Sequence, residues 1–166
     1  FAALKSADES VLKPRLYQEV NCDAVQKLID AAIKFGAKYF IQSSSAAVYG
    51  NSKDRYVDEK SPTNPVSPYG QSKLMIEKIL GDLATQSELA QISLRYFNAS
   101  GDDKDGEIGE RHDPETHLIP LAIRSALGGS ELKIFGTDFE TPDGTAIRDY
   151  IHVEDLGRAH ILAVEH

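Results

Sequence analysis

Apolar positions recur at helical spacing from about Pro14 to Phe35. Val25, Leu28, Ile29 and Ala32 fall on one stripe, and Gly36 stands where such a helix would end. The period then changes. KYFIQS, Lys38 to Ser43, is a short apolar run of the kind a buried strand carries. Polar residues and prolines from Gly50 to Pro68 predict a loop. Helical spacing returns from Ser67 to Leu83, with Ile76, Ile79, Leu80 and Leu83 on one side. Ser67 is suited to cap that helix and Pro68 to its first turn. QISLRYF, Gln91 to Phe97, predicts a second strand, and a polar, largely acidic loop follows from Asn98 to Thr116. The spacing next predicts a helix over Leu118 to Leu127, broken by Gly128-Gly129. Short strands are expected at Leu132 to Phe135 and Arg148 to Val153, and a last helix from about Glu154.

Strands alternating with helices predict an α/β fold with a doubly wound parallel sheet. In such sheets ligands sit beyond the carboxyl ends of the strands. The first strand ends in Ser43, Ser44 and Ser45, the second in Tyr96, Phe97 and Asn98. Composition narrows the chemistry. A net charge of −8 argues against a nucleic-acid or anionic-membrane surface. No run approaches a membrane span and no signal peptide is visible. Cys22, the single cysteine, excludes an internal disulfide framework, fits a reducing cytoplasm and reads as a packing residue.

The stretch SPYGQSK puts Tyr69 and Lys73 one helical turn apart on one face, an ammonium near a phenol. A phenol titrates near pH ~10, so a base working at neutral pH needs about 3–4 kcal/mol of help for its phenolate. A lysine ammonium supplies such help by Coulomb attraction. A serine hydroxyl can hydrogen-bond the same oxygen and relay a proton, and Ser45 stands at a strand end. A phenolate beside an alcohol is what hydride transfer to a nicotinamide requires. Taken singly, the same residues have plainer readings: Ser45 as a backbone-binding loop serine, Phe1, Phe97 and Phe135 as core, Arg148 and Asp149 as an ion pair. His117 has no cysteine or second histidine at ligand spacing, so no metal is expected, and His112 reads as part of a solvated loop.

SSSAAVYG, SPYGQSK, RYFNASG and RDYIHVEDL, in this order, resemble the extended short-chain dehydrogenase/reductases, and among them the UDP-galactose 4-epimerases. The likeness covers essentially the whole chain. It implies an NAD-binding Rossmann-type domain, with a nucleotide-sugar-binding region from about residue 98 to 150. It implies epimerisation of a UDP-sugar at C4 through a 4-keto sugar, with tightly bound NAD. Tyr69 would be the base, Lys73 its activator and the anchor of the nicotinamide ribose, and Ser45 the proton relay. Phe1, Ala2, Ala3, Leu4 and Lys5, with Asn21, Ser43, Ser44 and Phe97, would line the NAD site. Ser45, Ala46, Ala47 and Tyr69 would meet the sugar, and Asn98 would bind the nucleotide sugar. His117 and Leu118 would face its diphosphate or uridine. Lys133, Ile134 and Phe135 would offer backbone groups to the uracil, and Arg148 would pair with the diphosphate.

Departures from the family pattern carry their own expectations. No G-x-G-x-x-G occurs, and the nearest glycines, Gly106 and Gly109, lie in the acidic loop. The chain starts at Phe1 and stops within the helical pattern Leu156, Ala159, His160, Ala163. It is therefore expected to be the central part of a longer protein, without the first βα unit and the final substrate-binding segment, and to be inactive alone. Ala46-Ala47 stands where related nucleotide-sugar dehydratases carry an Asp-Glu pair, which favours epimerase over dehydratase. Epimerases of UDP-N-acetylhexosamines or UDP-glucuronate fit the same residues. A non-catalytic dimerisation module is the reading of a different class. The helices at 21–35 and 67–83 are apolar beyond one stripe, at Ile33, Leu74 and Met75, which predicts a homodimer through them.

Overall fold

Strand β1 (Tyr39–Ser43) lies parallel to β2 (Ala90–Leu94), with Tyr39 opposite Ala90 and Ser43 opposite Leu94. This register comes from a computed structural model of the chain, which describes residues 3–52 and 54–165. Parallel strands need a crossover. Here the 3₁₀ turn Ala46–Val48, a long loop and helix α4 (Pro68–Ala84) provide it. Ser67 caps α4 by accepting the Gly70 N–H at 3.1 Å, and Pro68 occupies the first turn.

Ahead of β1 run α1 (Ala7–Leu12), α2 (Pro14–Gln18), a π-helical segment Glu19–Asp23, and α3 (Ala24–Lys34). Gly36, at φ 72°, ends α3 in the left-handed conformation that suits glycine. Ile29 of α3, Ile76 and Leu80 of α4, and Leu89 before β2 form the core. Val25, Ile33, Phe40, Ile79 and Leu83 pack against it. Of the stripes predicted from the sequence, Val25 and Ile29 of α3 and Ile76, Ile79, Leu80 and Leu83 of α4 pack in this core, whereas Leu28 faces out. Cys22 is buried within the π segment, in keeping with a packing role.

A second parallel pair joins β3 (Asn98–Ser100) to β4 (Tyr150–His152). Helix α5 (Leu118–Ala126) lies between them in sequence, and α6 (Val153–Glu165) follows. The chain divides into two compact units, Asn98–Arg158 and the remainder. No described helix is long and apolar enough to cross a membrane.

Several boundaries differ from expectation. Asn98–Ser100 is a strand rather than loop, because its backbone pairs with β4. Leu132 to Phe135 forms no strand; its residues are exposed and no described segment supplies a ladder partner. The short α1 went unread, although Ser6 and Glu9 have capping-box spacing and Ser6 Oγ accepts the Glu9 N–H.

Candidate active site

Three serines mark the carboxyl end of β1, and each hydroxyl has a different partner. Ser43 Oγ lies 3.3 Å from His160 Nε2, while its carbonyl accepts Lys73 Nζ at 2.8 Å. Ser44 Oγ hydrogen-bonds Glu77. Ser45 caps the 3₁₀ turn by accepting the Ala47 N–H at 3.2 Å, which is its backbone-binding reading, and its hydroxyl is close enough to the Tyr69 phenol to pull that group's pKa down. Ala46 and Ala47 form the same turn, half-buried, with the Ala46 N–H held by the Tyr96 carbonyl at 3.0 Å.

Tyr69 opens α4 and is fixed through its backbone. Its N–H donates to Ser10 Oγ at 3.1 Å, and its carbonyl accepts Ser72 Oγ at 2.7 Å. The neighbouring glycine sets how close the helix comes. A Cβ at Gly70 would stand 2.7 Å from the Ala47 carbonyl oxygen, so only glycine lets α4 approach the Ser45 turn this closely. Burial pushes the Tyr69 phenol above its ordinary range, against the downward pull of the Ser45 hydrogen bond. Burial likewise holds the Lys73 ammonium below its ordinary value.

Lys73 was expected to lower the phenol pKa; its Nζ lies 5.8 Å from the centre of the Tyr69 ring and donates to the Ser43 carbonyl, and burial of the phenol is the larger influence.

Asn21 is buried in the π segment, and its amide grips Leu4 from both sides. Oδ1 accepts the Leu4 N–H and Nδ2 donates to the Leu4 carbonyl, each at 2.9 Å. Ala3, Asn21, Ser43 and Lys73 line a cavity of about 140 Å³ with Phe40 and Ile76. Lys5 is exposed, and Phe97 is 43% exposed rather than core. Phe1 and Ala2, also assigned to the cofactor, lie outside the described residues.

Apart from Ser45, Ala46, Ala47 and Tyr69, the residues expected to meet the nucleotide sugar belong to the second unit. Asn98 Nδ2 donates to the Asp149 carbonyl at 2.8 Å, so its amide is engaged in holding β3 to the chain before β4. His117 stands at the cap position of α5, ahead of a half-exposed Leu118. Contrary to the sequence reading, a second histidine is close to it: the His112 and His117 rings are 4.9 Å apart. Lys133, Ile134 and Phe135 are open to solvent; Phe135, at 84% exposure, is not core either. Arg148 is exposed and donates to the Ile147 carbonyl at 2.8 Å; no ion pair with Asp149 is found among the described residues. A cavity of about 610 Å³, lined by Ser100, Asp102, Glu110, Ile119, Ile123 and Arg124 among others, takes in none of these residues.

Sequence reasoning missed the supports of the strand end. Glu77 forms a 2.6 Å ion pair with Arg95, whose guanidinium also reaches the Tyr49 hydroxyl at 3.3 Å. That pairing pushes the Arg95 pKa up, and the Glu77 carboxylate is only 8% exposed. Gln42 donates to the Lys73 carbonyl and accepts Ser93 Oγ, tying β1 to α4 and β2. The available signal was a lone arginine in the otherwise apolar QISLRYF, which needs a buried partner.

Residues 1–166 match the family described as "NAD dependent epimerase/dehydratase family". The UDP-glucose 4-epimerase of Lactobacillus helveticus is 46% identical over 167 residues, covering 100% of this chain and 51% of that protein. That of Rhizobium leguminosarum bv. trifolii is 47% identical, with the same shares of 100% and 51%. Among solved structures, UDP-glucose 4-epimerase from Brucella ovis in complex with NAD superposes with a TM-score of 0.93 at 51% identity, covering 100% of this chain and 51% of that one. The enzyme from Bifidobacterium longum in complex with NAD+ and UDP gives 0.92 at 39% identity, covering 100% and 51%. The chain spans about half the length of the curated relatives it matches. It shares the parallel α/β, Rossmann-type fold of these structures.

Proposed function

Because the chain belongs to the NAD dependent epimerase/dehydratase family, we propose that the intact protein is a UDP-glucose 4-epimerase, interconverting UDP-galactose and UDP-glucose. The observation that carries this is Tyr69 at the start of α4 beside the Ser45 hydroxyl at the end of β1, with Lys73 one turn along the same helix. In support, chains carrying that activity in their names are 46% and 47% identical across the whole sequence.

The residues here fit a dinucleotide's nicotinamide end. Asn21 fastens Leu4, so the segment from Ala3 to Lys5 is held as an edge beside Ser43 and Lys73. Phe1, Ala2, Ser44 and Phe97 complete the assigned set. NAD, when bound, accepts the hydride of sugar C4 and returns it. Tyr69 Oη takes the C4 hydroxyl proton and gives it back. Ser45 Oγ, beside that oxygen, relays the proton. Lys73 holds a fixed positive charge beside the ring and anchors the nicotinamide ribose. Asn98, His117, Leu118, Lys133, Ile134, Phe135 and Arg148 receive the nucleotide sugar; Arg148 offers a guanidinium to phosphate oxygens.

The same reading makes the protein a cytoplasmic homodimer. Leu28 and Met75 are 56% and 44% exposed on α3 and α4, apolar surface suited to a second copy. Sedimentation of the intact protein at micromolar concentration is expected to give a dimer. For the activity, the protein is incubated with UDP-galactose and no added NAD, and UDP-glucose is measured. Conversion is expected. A preparation that carries NAD yet yields no UDP-glucose would falsify the assignment.

A further inference from the structure

Within the second unit, three side chains from six consecutive residues at the end of the acidic loop converge. His112, Glu115 and His117 each present one ligating atom, and these atoms lie within 4.8 Å of one another. Glu115 Oε1 is 3.0 Å from His117 Nδ1 and 3.8 Å from His112 Nδ1. Glu110 Oε1 approaches the same His117 nitrogen from the other side, at 2.5 Å.

Hydrogen bonding does not account for this arrangement. Nδ1 of His117 carries at most one proton, yet two carboxylate oxygens face it. Glu115 Oε1 already accepts the backbone N–H groups of Thr116 and His117, each at 2.8 Å. The Glu115 side chain is only 4% exposed. His112 Nδ1 is buried and has no hydrogen-bond partner among the described residues. Buried polar atoms left without a partner are rare in native proteins. Two carboxylates and two ring nitrogens around one proton lack positive charge, and a cation would supply it.

We propose that His112, Glu115 and His117, with solvent as fourth ligand, form a binding site for a divalent cation of the zinc type. Two imidazole nitrogens and carboxylate oxygens suit zinc, whereas calcium and magnesium take oxygen alone. A tetrahedral ion with bonds of about 2.0–2.1 Å holds its ligand atoms roughly 3.3–3.4 Å apart. The distances of 3.0 and 3.8 Å from Glu115 to the two rings bracket that value. Both histidines would bind through Nδ1 and keep the proton on Nε2. The ion would pin residues 112–117 at the N-terminal end of α5.

The site does not rest on the epimerase reading, because binding is measured directly, without substrate. The intact protein is stripped with a chelator and titrated with cobalt(II). One cobalt per chain with the intense visible bands of a tetrahedral site is expected, displaced by one equivalent of zinc. His112→Ala and Glu115→Gln should each weaken zinc by at least about tenfold, the lower bound for disturbing even an outer-shell group. His112→Gln, checked by circular dichroism, repeats the test with a milder change. Absence of the cobalt bands overturns the proposal. So does unchanged zinc affinity in the folded variants, or a thiolate charge-transfer band that would move the metal to Cys22.

Discussion

Ser44, Glu77 and Arg95 are locked together beneath the end of β1, whereas Lys133, Ile134 and Phe135 stand open to solvent. The two units differ in this way throughout. The first contains the core of Ile29, Ile76, Leu80 and Leu89, and it buries polar groups such as Ser10, Asn21 and Gln42 with their partners in place. Among the described residues of the second, only Leu156 is buried. A general base must be held to a fraction of an ångström, and rigid packing with satisfied hydrogen bonds does that. A surface that receives a nucleotide sugar needs exposed donors instead. The proposed chemistry is thus assigned to the unit that packs, and the proposed recognition to the unit that does not.

The strongest way to break this contrast is to cut the support of the strand end. Glu77→Ala leaves the Arg95 guanidinium without its partner and frees Ser44. Removing one member of a buried pair costs about 3–5 kcal/mol, and the 22% exposure of Arg95 puts this case at the lower end. Chemical denaturation of the intact protein should register that loss; a change under 1 kcal/mol would mean the network is dispensable. Tyr69→Phe tests the chemistry rather than the packing. It keeps the ring and the backbone bonds to Ser10 and Ser72. Turnover of UDP-galactose should fall at least ~10²-fold, the scale of an acid–base group, with stability nearly unchanged. Turnover within threefold of the parent would remove Tyr69 from its role.

The sequence made the near half of this picture legible. The single helix expected from Pro14 to Phe35 is α2, a π segment and α3, and β2 ends at Leu94, three residues before the expected Phe97. Helix and strand periods did locate β1 and α4 to within one residue, because each buries a face whose spacing is local. Tyr69 and Lys73 stood out for the same reason. Their anchors did not: Ser10 lies 59 residues from Tyr69, and Arg95 lies 18 from Glu77, so only the fold brings them together. LKIF, Leu132 to Phe135, looked like a strand because its composition suits one. Strand formation depends on a partner, which composition does not report. The grouping of His112 with Glu115 and His117 depends on the local path of the loop, which no periodic pattern encodes.

Lys73→Met sharpens the account of how the packed unit tunes its base. The structure has burial raising the Tyr69 pKa and lowering that of Lys73. Removing the ammonium takes away the remaining attraction for phenolate, so the pH optimum of turnover should move alkaline. Stability gives an independent check with a definite sign. Lys73 is depressed below its ordinary 10.5, so it binds more protons unfolded, and its burial penalty is relieved as pH rises through that window. Tyr69 is raised above its ordinary 10.0, so its contribution is complete below that value and lost as pH climbs through the folded pKa. In the parent the two oppose each other in alkali. In Lys73→Met the burial penalty is absent at every pH, so the variant should be more stable than the parent near neutral pH, and that gain should shrink as pH climbs towards 10.5. An unchanged pH–rate profile with full activity would refute the coupling.

The smallest effect is expected from Phe135→Ala, and its smallness is informative. A phenylalanine in a core typically loses about 3–5 kcal/mol when cut to alanine, through lost transfer energy and the cavity left behind. Phe135 is 84% exposed, so neither term applies, and stability should stay within about 0.5 kcal/mol of the parent. The same change keeps the backbone groups proposed to meet the uracil, so the KM for UDP-galactose and kcat should both stay nearly constant. Both readouts are needed. Lost stability of 2 kcal/mol or more would make Phe135 a packing residue in the intact protein, and the contrast between a packed unit and an open one would fail there. Unchanged stability with a KM raised several-fold would leave the openness intact but move recognition from the backbone to the side chain.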